Sequence, residues 1–261
     1  MVVNHLSAAD RLAIVNLLTE ITMSELYIVT GASKGIGDAL ATQLEREGHT
    51  VLRLARTNPR ALPNLITVDL TDLTAGVDVM TQWLSPKLAA ATRVTLINNA
   101  GTVEPIGVVG KMDATQISHA LLLNVGAVMA LTNAFVALTE SFSGEKCVMN
   151  VSSGAAHKAY EGWAAYCATK AAVDHFTRVL FTEQQTKDNP VKVVSIAPGV
   201  IDTDMQAVIR SSTPELFPNL KRFIDYKTDA KLSTPTETAK ALISHLRSEK
   251  MGAVATADVR D

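Results

Sequence analysis

The sequence predicts a single α/β domain in which helices cover both faces of a central parallel sheet. Short apolar runs alternate with longer amphipathic stretches from residue 26 onward, and a glycine-rich turn directly follows the first run. No internal repeat, low-complexity tract or linker rich in proline and glycine divides the 261 residues. Alternation of this kind is typical of a doubly wound Rossmann fold, so we expect one domain.

Six short apolar runs are predicted to be buried parallel strands, and three longer stretches have the periodicity of crossover helices. The strands are expected at 26–30, 51–55, 65–68, 94–98, 146–151 and 191–197, and the helices at 36–47, 113–141 and 164–187. The stretch 203–233 has no strand character and contains Pro214 and Pro218. We predict that it is an insertion over the carboxyl edge of the sheet, where it acts as a lid.

The first two dozen residues form an N-terminal extension, 1–24, ahead of the domain at 25–261. Residues 1–22 lack the basic start and apolar core of a secretory signal, and Asp10 and Glu20 argue against a transit peptide. Two interpretations stay open. The extension is an accessory amphipathic helix, or Met23 is the natural start and the leader is an artefact of the gene model.

Composition argues against several classes of function. Hydrophobic residues make up 47% and charged residues 19% of the chain, and no uninterrupted apolar run reaches the roughly 18 to 20 residues of a membrane span. A net charge of −2 gives no basic field for a nucleic-acid backbone. Cys147 and Cys167 are too few for a disulfide framework or a cysteine-based zinc site. We therefore expect a cytoplasmic protein without a metal, a membrane or a nucleic acid as partner.

The glycine-rich turn stands between the first predicted strand and the first predicted helix, where a dinucleotide-binding turn must lie. It reads Thr-Gly-Ala-Ser-Lys-Gly-Ile-Gly over 30–37, which places glycine at 31, 35 and 37. Glycine permits the tight turn and the close approach of a pyrophosphate, while the amino end of the helix offers free N–H groups. Taken alone, the motif is also compatible with an ordinary strand-to-helix turn.

The end of the second strand decides between NAD and NADP. An acid there accepts hydrogen bonds from the adenosine ribose and repels a 2′-phosphate. The chain has no acid at this point and reads Leu-Ala-Arg-Thr over 54–57. We predict that Arg56 and Lys34 converge on the phosphate, to which arginine offers a planar fork. NADP(H) is therefore the expected cofactor, unless both cations are merely solvated.

A tyrosine and a lysine four residues apart, Tyr166 and Lys170, share one face of a predicted helix. A free tyrosine has a pKa of about 10, and a neighbouring cation lowers it by stabilising the phenolate. Taken alone, such a pair is usually an ordinary surface pair. Ser153 lies just beyond the fifth strand, so its hydroxyl reaches the carboxyl edge of the sheet, where ligands bind. A phenol, an ammonium and a hydroxyl are thus predicted to face one site.

From residue 26 to about 205, the ordered motifs resemble the short-chain dehydrogenase/reductase family. Further matches are Asn-Asn-Ala-Gly at 98–101, Asn124, Asp69 after the third strand, and Ala-Pro-Gly-Val-Ile-Asp-Thr at 197–203. The resemblance implies that Ser153 hydrogen-bonds a carbonyl, NADPH delivers hydride to its carbon and Tyr166 supplies the proton. It further implies that Lys170 holds the nicotinamide ribose, and that Asn124 and water restore the lost proton.

The resemblance also implies the residues that hold the cofactor, with Asp69 at the adenine amino group and Thr203 at the carboxamide or the phosphates. It implies a homodimer through the helices at 113–141 and 164–187. The expected cofactor residues are Gly31, Ser33, Lys34, Gly35, Ile36, Gly37, Arg56, Asp69, Leu70, Asn98, Ala100, Gly101, Tyr166, Lys170, Pro198, Gly199, Val200, Ile201 and Thr203.

Two stretches, Glu-Gly-Trp-Ala-Ala-Tyr-Cys at 161–167 and Asp-Thr-Asp-Met-Gln at 202–206, resemble the sepiapterin reductase and benzil reductase subgroup. This likeness implies that Trp163 and Met205 join Ser153 and Tyr166 in a pocket for flat, conjugated or aromatic dicarbonyl compounds. A purely structural role for the tryptophan is the alternative.

The substrate itself stays open between several interpretations. Asp258 is a candidate for the carboxylate that anchors the pterin in sepiapterin reductases, but its spacing after Gly252 requires a gap. The preferred interpretation is an NADPH-dependent reductase of aromatic dicarbonyl compounds. A pterin reductase and a catalytically silent NADP(H)-binding regulator are the alternatives.

Overall fold

The computed structural model describes residues 24–261, so the N-terminal extension, apart from its last residue, lies outside the described residues. Seven strands form one parallel sheet in the order β3-β2-β1-β4-β5-β6-β7. Strand order reverses between β1 and β4, which is the switch point of a doubly wound fold, and the predicted fold class is confirmed. The strands are β1 Ser24–Thr30, β2 Thr50–Ala55, β3 Leu65–Thr67, β4 Ala91–Asn98, β5 Glu145–Val151, β6 Val191–Ala197 and β7 Thr256–Asp258.

Helices cover both faces of this sheet. Helices α1 and α7 pack on one face through side chains such as Leu40 and Leu242. Helices α2, α3 and α4 cover the other face, where Met80, Phe135 and Leu180 are buried. The helices are α1 Gly35–Arg46, α2 Leu73–Leu84, α3 Ala114–Leu138, α4 Ala164–Gln184, α5 Asp204–Arg210, α6 Leu220–Thr228 and α7 Pro235–Arg247, with a π-turn at Leu122–Gly126 inside α3.

Three of the seven described helices start where a side chain satisfies free N–H groups, and α1 is among the four that do not. Asp72 and Asp113 each accept a hydrogen bond from the backbone three residues ahead, at the starts of α2 and α3. Thr234 and Glu237 form a capping box at α7. Lys34 gives α1 no side-chain cap. The N–H groups at the start of α1 are therefore free to bind a ligand.

A buried arginine fixes α1 against β2. Arg53 of β2 is 1% exposed, and its guanidinium lies 2.6 Å from Asp38 Oδ1 and 2.8 Å from Glu45 Oε2, both on α1. It also donates a 3.1 Å hydrogen bond to the carbonyl of Ala32 in the glycine turn. Although burial opposes the charge, these carboxylates raise the pKa of Arg53. The network holds the glycine turn in position on the sheet.

The six predicted strands and three predicted crossover helices are all present, with ends that differ by at most three residues. Sequence periodicity does not predict β7, which is three residues long and half-buried, nor helices α2, α5, α6 and α7. Among the described residues, one helix, α3, is by length and composition long and apolar enough to cross a membrane, a property that buried core helices share. Its scattered polar residues interrupt the apolar run without making the helix polar on average.

The region from residue 203 to residue 233 lies over the carboxyl edge, as predicted, and contains α5 and α6. We call this region the lid. Its Phe217 stacks on Trp163 with ring centroids 4.7 Å apart. Gly162, with φ +83°, permits this approach, because a side chain there would collide with the carbonyl oxygen of Leu216. The lid is thus packed against the loop before α4 through both backbone and aromatic contacts.

Candidate active site

A cleft of about 700 Å³ opens at the carboxyl edge of the sheet. The glycine turn and the first residues of the lid lie at one end, and the part of the lid around α6 lies at the other, which we call the lid end. Parallel strands direct their carboxyl ends to this edge, which explains why motifs far apart in sequence meet there. Nearly all of the predicted cofactor residues line the cleft. Gly37, Asp69 and Asn98 do not.

The glycine turn depends on residues that lack a side chain. Gly31 has φ +66° and Gly35 has φ +58°, values that favour glycine. A Cβ on Gly31 would lie 2.9 Å from the Cα of Ala100, and one on Gly37 would collide with the carbonyl oxygen of Gly31. Gly37 therefore acts behind the turn, by letting α1 pack against it. Together with the uncapped start of α1, this backbone cradle fits a pyrophosphate.

Two of the predicted phosphate ligands, Lys34 and Arg56, line the glycine-turn end of the cleft. Lys34 Nζ lies 2.8 Å from Asp204 Oδ2 on the lid. Both side chains of this pair are more than 70% exposed, so it contributes little stability and is easily exchanged for a phosphate. Arg56 lies near Asp69, whose pKa is held below its usual range mainly by hydrogen bonds from Thr71 and further by Arg56.

Asn98 does not line the cleft, so its predicted place among the cofactor residues is wrong. Its amide is buried behind the cleft, where it donates to Thr132 Oγ1 at 3.0 Å and to Asn150 Oδ1 at 2.9 Å. The neighbouring Asn99 lines the cleft and donates to the carbonyl of Thr30 at 2.9 Å. Successive side chains along a strand point in opposite directions. In this motif, Asn99 therefore faces the cleft, while Asn98 points into the buried interior.

The phenol, ammonium and hydroxyl converge in the middle of the cleft, as predicted. Ser153, Tyr166 and Lys170 all line it. Lys170 Nζ lies 5.8 Å from the centroid of the Tyr166 ring. It donates a 2.8 Å hydrogen bond to the carbonyl of Val151 at the end of β5. The helix spacing and the strand end together fix all three groups.

The expected effect of Lys170 on the tyrosine is wrong for this structure. Burial raises the pKa of Tyr166 to about 12, and only the nearby Ser153 hydroxyl opposes this shift. Burial also lowers the pKa of Lys170 to about 8, against the attraction of Asp174. Desolvation outweighs the lysine because the ammonium is engaged with the carbonyl of Val151 and does not contact the phenol.

Asn124 lies in the π-turn of α3, beside Thr169 of α4. Its Oδ1 accepts from the N–H of Thr102 at 2.8 Å, and its Nδ2 donates to the carbonyl of Thr102 at 2.8 Å and to Thr169 Oγ1 at 3.1 Å. It is 1% exposed. These bonds fix the backbone that follows Gly101, and π-turns of this kind are frequent at functional sites.

Two of the residues that the subgroup resemblance added to the pocket, Trp163 and Met205, line the lid end of the cleft. Trp163 is also central to an aromatic cluster, with Phe223 4.9 Å and Tyr166 5.4 Å away between ring centroids, so its structural role is present as well. Asp258 does not line the cleft, so its predicted place in the substrate pocket is wrong. Its carboxylate forms a two-point ion pair with Arg260, whose guanidinium lines the cleft instead.

Sequence reasoning missed most of the lid's contribution. Three side chains of α6, Arg222, Phe223 and Tyr226, line the cleft, and so do Lys158 and Arg260. The spacing of Phe223 and Tyr226, with Leu220 before them, is that of one helical face and was the available signal. Nothing in the sequence indicates that this face would meet Trp163, since the contact spans about sixty residues.

Comparisons with known proteins agree with this geometry. A family model described as short chain dehydrogenase matches residues 25–214. A benzil reductase ((S)-benzoin forming) of Bacillus cereus is 40% identical over 234 residues, covering 85% of this chain and 94% of the relative. Sepiapterin reductase of Mus musculus is 33% identical over 257 residues, covering 90% and 96%. The crystal structure of the KRED1-Pglu enzyme matches with a TM-score of 0.75 at 29% identity, covering 89% of this chain and all of that one.

Proposed function

The chain belongs to the short-chain dehydrogenase family, and from this premise we propose that it is an NADPH-dependent carbonyl reductase for aromatic or conjugated dicarbonyl compounds. One observation carries the proposal: Ser153, Tyr166 and Lys170 meet in a cleft whose far end is an uncapped glycine turn. Benzil, the aromatic diketone in the name of the Bacillus cereus relative, is the substrate class that the aromatic lid end favours.

The residues of the cleft fit a nicotinamide dinucleotide. The backbone around Gly31 and Gly35 would hold the pyrophosphate, Arg56 and Lys34 the 2′-phosphate, and Lys170 the nicotinamide ribose. When bound, NADPH supplies the hydride. No acid lies at the end of β2, where one would repel the 2′-phosphate.

The chain's own groups position the carbonyl and provide the proton. The Ser153 hydroxyl donates a hydrogen bond to the carbonyl oxygen, and the Tyr166 phenol transfers its proton to the same oxygen. Because burial holds the pKa of Tyr166 at about 12, the phenol is protonated at neutral pH and is ready to act as an acid. That state suits reduction of a carbonyl, whereas oxidation of an alcohol requires the phenolate. The aromatic cluster around Trp163 keeps water from the reacting atoms.

The test is NADPH oxidation with benzil, a quinone, sepiapterin and simple aldehydes. We expect the highest kcat/KM with benzil or the quinone. Tight NADPH binding without turnover of any carbonyl would indicate a catalytically silent regulator. Preference for sepiapterin would indicate a pterin reductase, although Asp258 is already paired with Arg260.

The cofactor assignment has its own test in Arg56→Ala. We expect the KM for NADPH to rise about thirtyfold, which corresponds to the loss of a charge-assisted hydrogen bond, while the KM for NADH changes little. Arg46→Ala, on the last turn of α1 and outside the cleft, is the matched control. An equal rise for both cofactors would contradict the phosphate assignment.

We further propose a homodimer through α3 and α4. Large hydrophobic side chains on these helices are exposed, among them Leu121, Leu122, Met129 and Val179 at 40–48%. Exposed apolar side chains on adjacent helices are typical of a surface that a second copy covers. Sedimentation equilibrium tests this, with a monomer at micromolar concentration as the contrary result.

A further inference from the structure

We propose that the natural substrate carries an anionic group, a carboxylate or a phosphate, remote from the reacting carbonyl, and that Arg222 and Arg260 bind this group. The inference rests on the proposed function and narrows its substrate class. Benzil is neutral, so the inference goes beyond the activity that the relatives suggest.

The first observation is the charge of the cleft compared with the charge of the chain. The chain has a net charge of −2, yet among the residues that the structure describes, six lysine or arginine side chains line the cleft against two carboxylates. Cations gathered in a concave site attract anions and raise their local concentration. The basic residues are Lys34, Arg56, Lys158, Lys170, Arg222 and Arg260, and the acidic residues are Glu104 and Asp204.

A dinucleotide accounts for only part of this charge. Lys34 and Arg56 lie at the glycine-turn end, and Lys170 lies at the centre. The other three cations lie around the lid end: Arg222 on α6, Arg260 after β7 and Lys158 between β5 and α4. A cofactor with its phosphates on the glycine turn leaves these three facing the space for the substrate.

Arg222 is held in a form that is ready to receive an anion. Its Nε donates a 2.6 Å hydrogen bond to Tyr226 Oη, and its guanidinium carbon lies 5.3 Å from the Tyr226 ring centroid and 5.8 Å from that of Tyr160. Within the described residues no carboxylate pairs with Arg222. Contacts with the two tyrosines orient the guanidinium without neutralising its charge.

Arg260 is oriented by a carboxylate that occupies only some of its N–H groups. Its Nε and Nη2 bond the two oxygens of Asp258 at 2.7 Å and 2.5 Å, which leaves the Nη1 group free. Asp258 is therefore a positioning residue for Arg260. Arg222, Tyr226 and Arg260 all line the cleft, and Tyr226 contacts Arg222 directly. This end of the cleft suits a carboxylate and disfavours a cationic guanidine-like group.

The experiment compares four substrates that differ in one substituent: benzil, benzil with a para carboxylate, the methyl ester of that acid, and benzil with a para phosphonate. We expect kcat/KM for the best anion to exceed that of the ester by about tenfold, the lower end of the range for one charge-assisted hydrogen bond. The more favoured of the two anions identifies the group. Added salt is expected to reduce the ratio of anion to ester, because exposed cations are screened.

Variants assign the effect to the two arginines. In Arg222→Gln and Arg260→Gln, we expect the ratio of anion to ester to fall towards one, whereas the exposed Arg46→Gln outside the cleft keeps the parent ratio. Using the ratio within each variant removes any general loss of activity. An anion no better than the ester, with benzil turned over normally, overturns this inference and leaves the proposed function intact. Absence of turnover on every carbonyl overturns the proposed function, and this inference with it.

Discussion

The two ends of the cleft are built by different means. At the glycine-turn end, the main chain makes the site, because Gly31 and Gly37 bring backbone atoms to positions that side chains would occupy. At the lid end, side chains make the site, with Trp163 and Phe223 brought together from distant segments. The first end suits a ligand of fixed chemistry. The second can change its specificity by substitution without disturbing the fold.

The largest expected effect comes from substituting Tyr166, which lines the cleft between the two ends. Tyr166→Phe keeps the ring and removes the proton donor, so we expect kcat to fall about a thousandfold, within the range of general acid catalysis. Stopped-flow or steady-state NADPH oxidation with benzil measures this, and fluorescence titration checks that NADPH still binds. Activity within tenfold of the parent would show that another group delivers the proton.

The substitution Gly37→Ala is expected to disrupt the glycine-turn end of the cleft. The added methyl collides with the carbonyl oxygen of Gly31, and overpacking of this kind costs about 1–3 kcal/mol, so the KM for NADPH should rise about tenfold to a hundredfold. The control is Gly126→Ala in α3, where a Cβ would meet Leu73 at an ordinary 3.4 Å. Unchanged NADPH binding in Gly37→Ala would mean that the turn tolerates side chains.

The centre of the cleft is tested by pH. The pKa of Lys170 is lowered to about 8, so the ammonium is present below that pH and is lost as the pH rises through it. We expect kcat/KM for reduction to decline about tenfold per unit of pH above that point. Tyr166, with a pKa of about 12, stays protonated over the same range. In Lys170→Arg, which keeps its charge, the decline should move to higher pH, and an unmoved decline would exclude Lys170 as its cause.

The smallest effect is expected at the lid end. Phe223→Leu removes an aromatic contact with Trp163, and we expect the KM for benzil to rise about fivefold, as for the loss of one aromatic pair. The KM for NADPH should stay the same. A change in the NADPH value equal to that for benzil would mean that the two ends are not independent, and the distinction drawn between them would fail.

The same distinction explains what the sequence could predict. The glycine turn, Ser153, Tyr166 and Lys170 were predictable because strand ends and helix spacing fix them locally. The lid cluster was not, since Phe217 and Trp163 meet only through tertiary packing. Asn98 was wrongly predicted to contact the cofactor, because side chains alternate along a strand and this one is buried away from the cleft. Asp258 was wrongly predicted to line the pocket, because its carboxylate pairs with Arg260 two residues away.

The electrostatics of the catalytic pair were also beyond sequence reasoning. Spacing predicts that Lys170 and Tyr166 are neighbours, and they are. It does not reveal that the ammonium donates to the carbonyl of Val151, or that burial controls both pKa values. Desolvation depends on everything that surrounds a group, which no short motif encodes.

Gly162 limits how this scaffold can be re-engineered. Because the carbonyl of Leu216 rests where a side chain would otherwise be, the length of the lid and the path of the loop before α4 are matched to each other. Inserting or deleting residues in the lid would move Trp163 and, through it, the reacting tyrosine. A designer who wants a wider or narrower pocket should exchange individual side chains on α5 and α6 and keep the backbone of the lid unaltered.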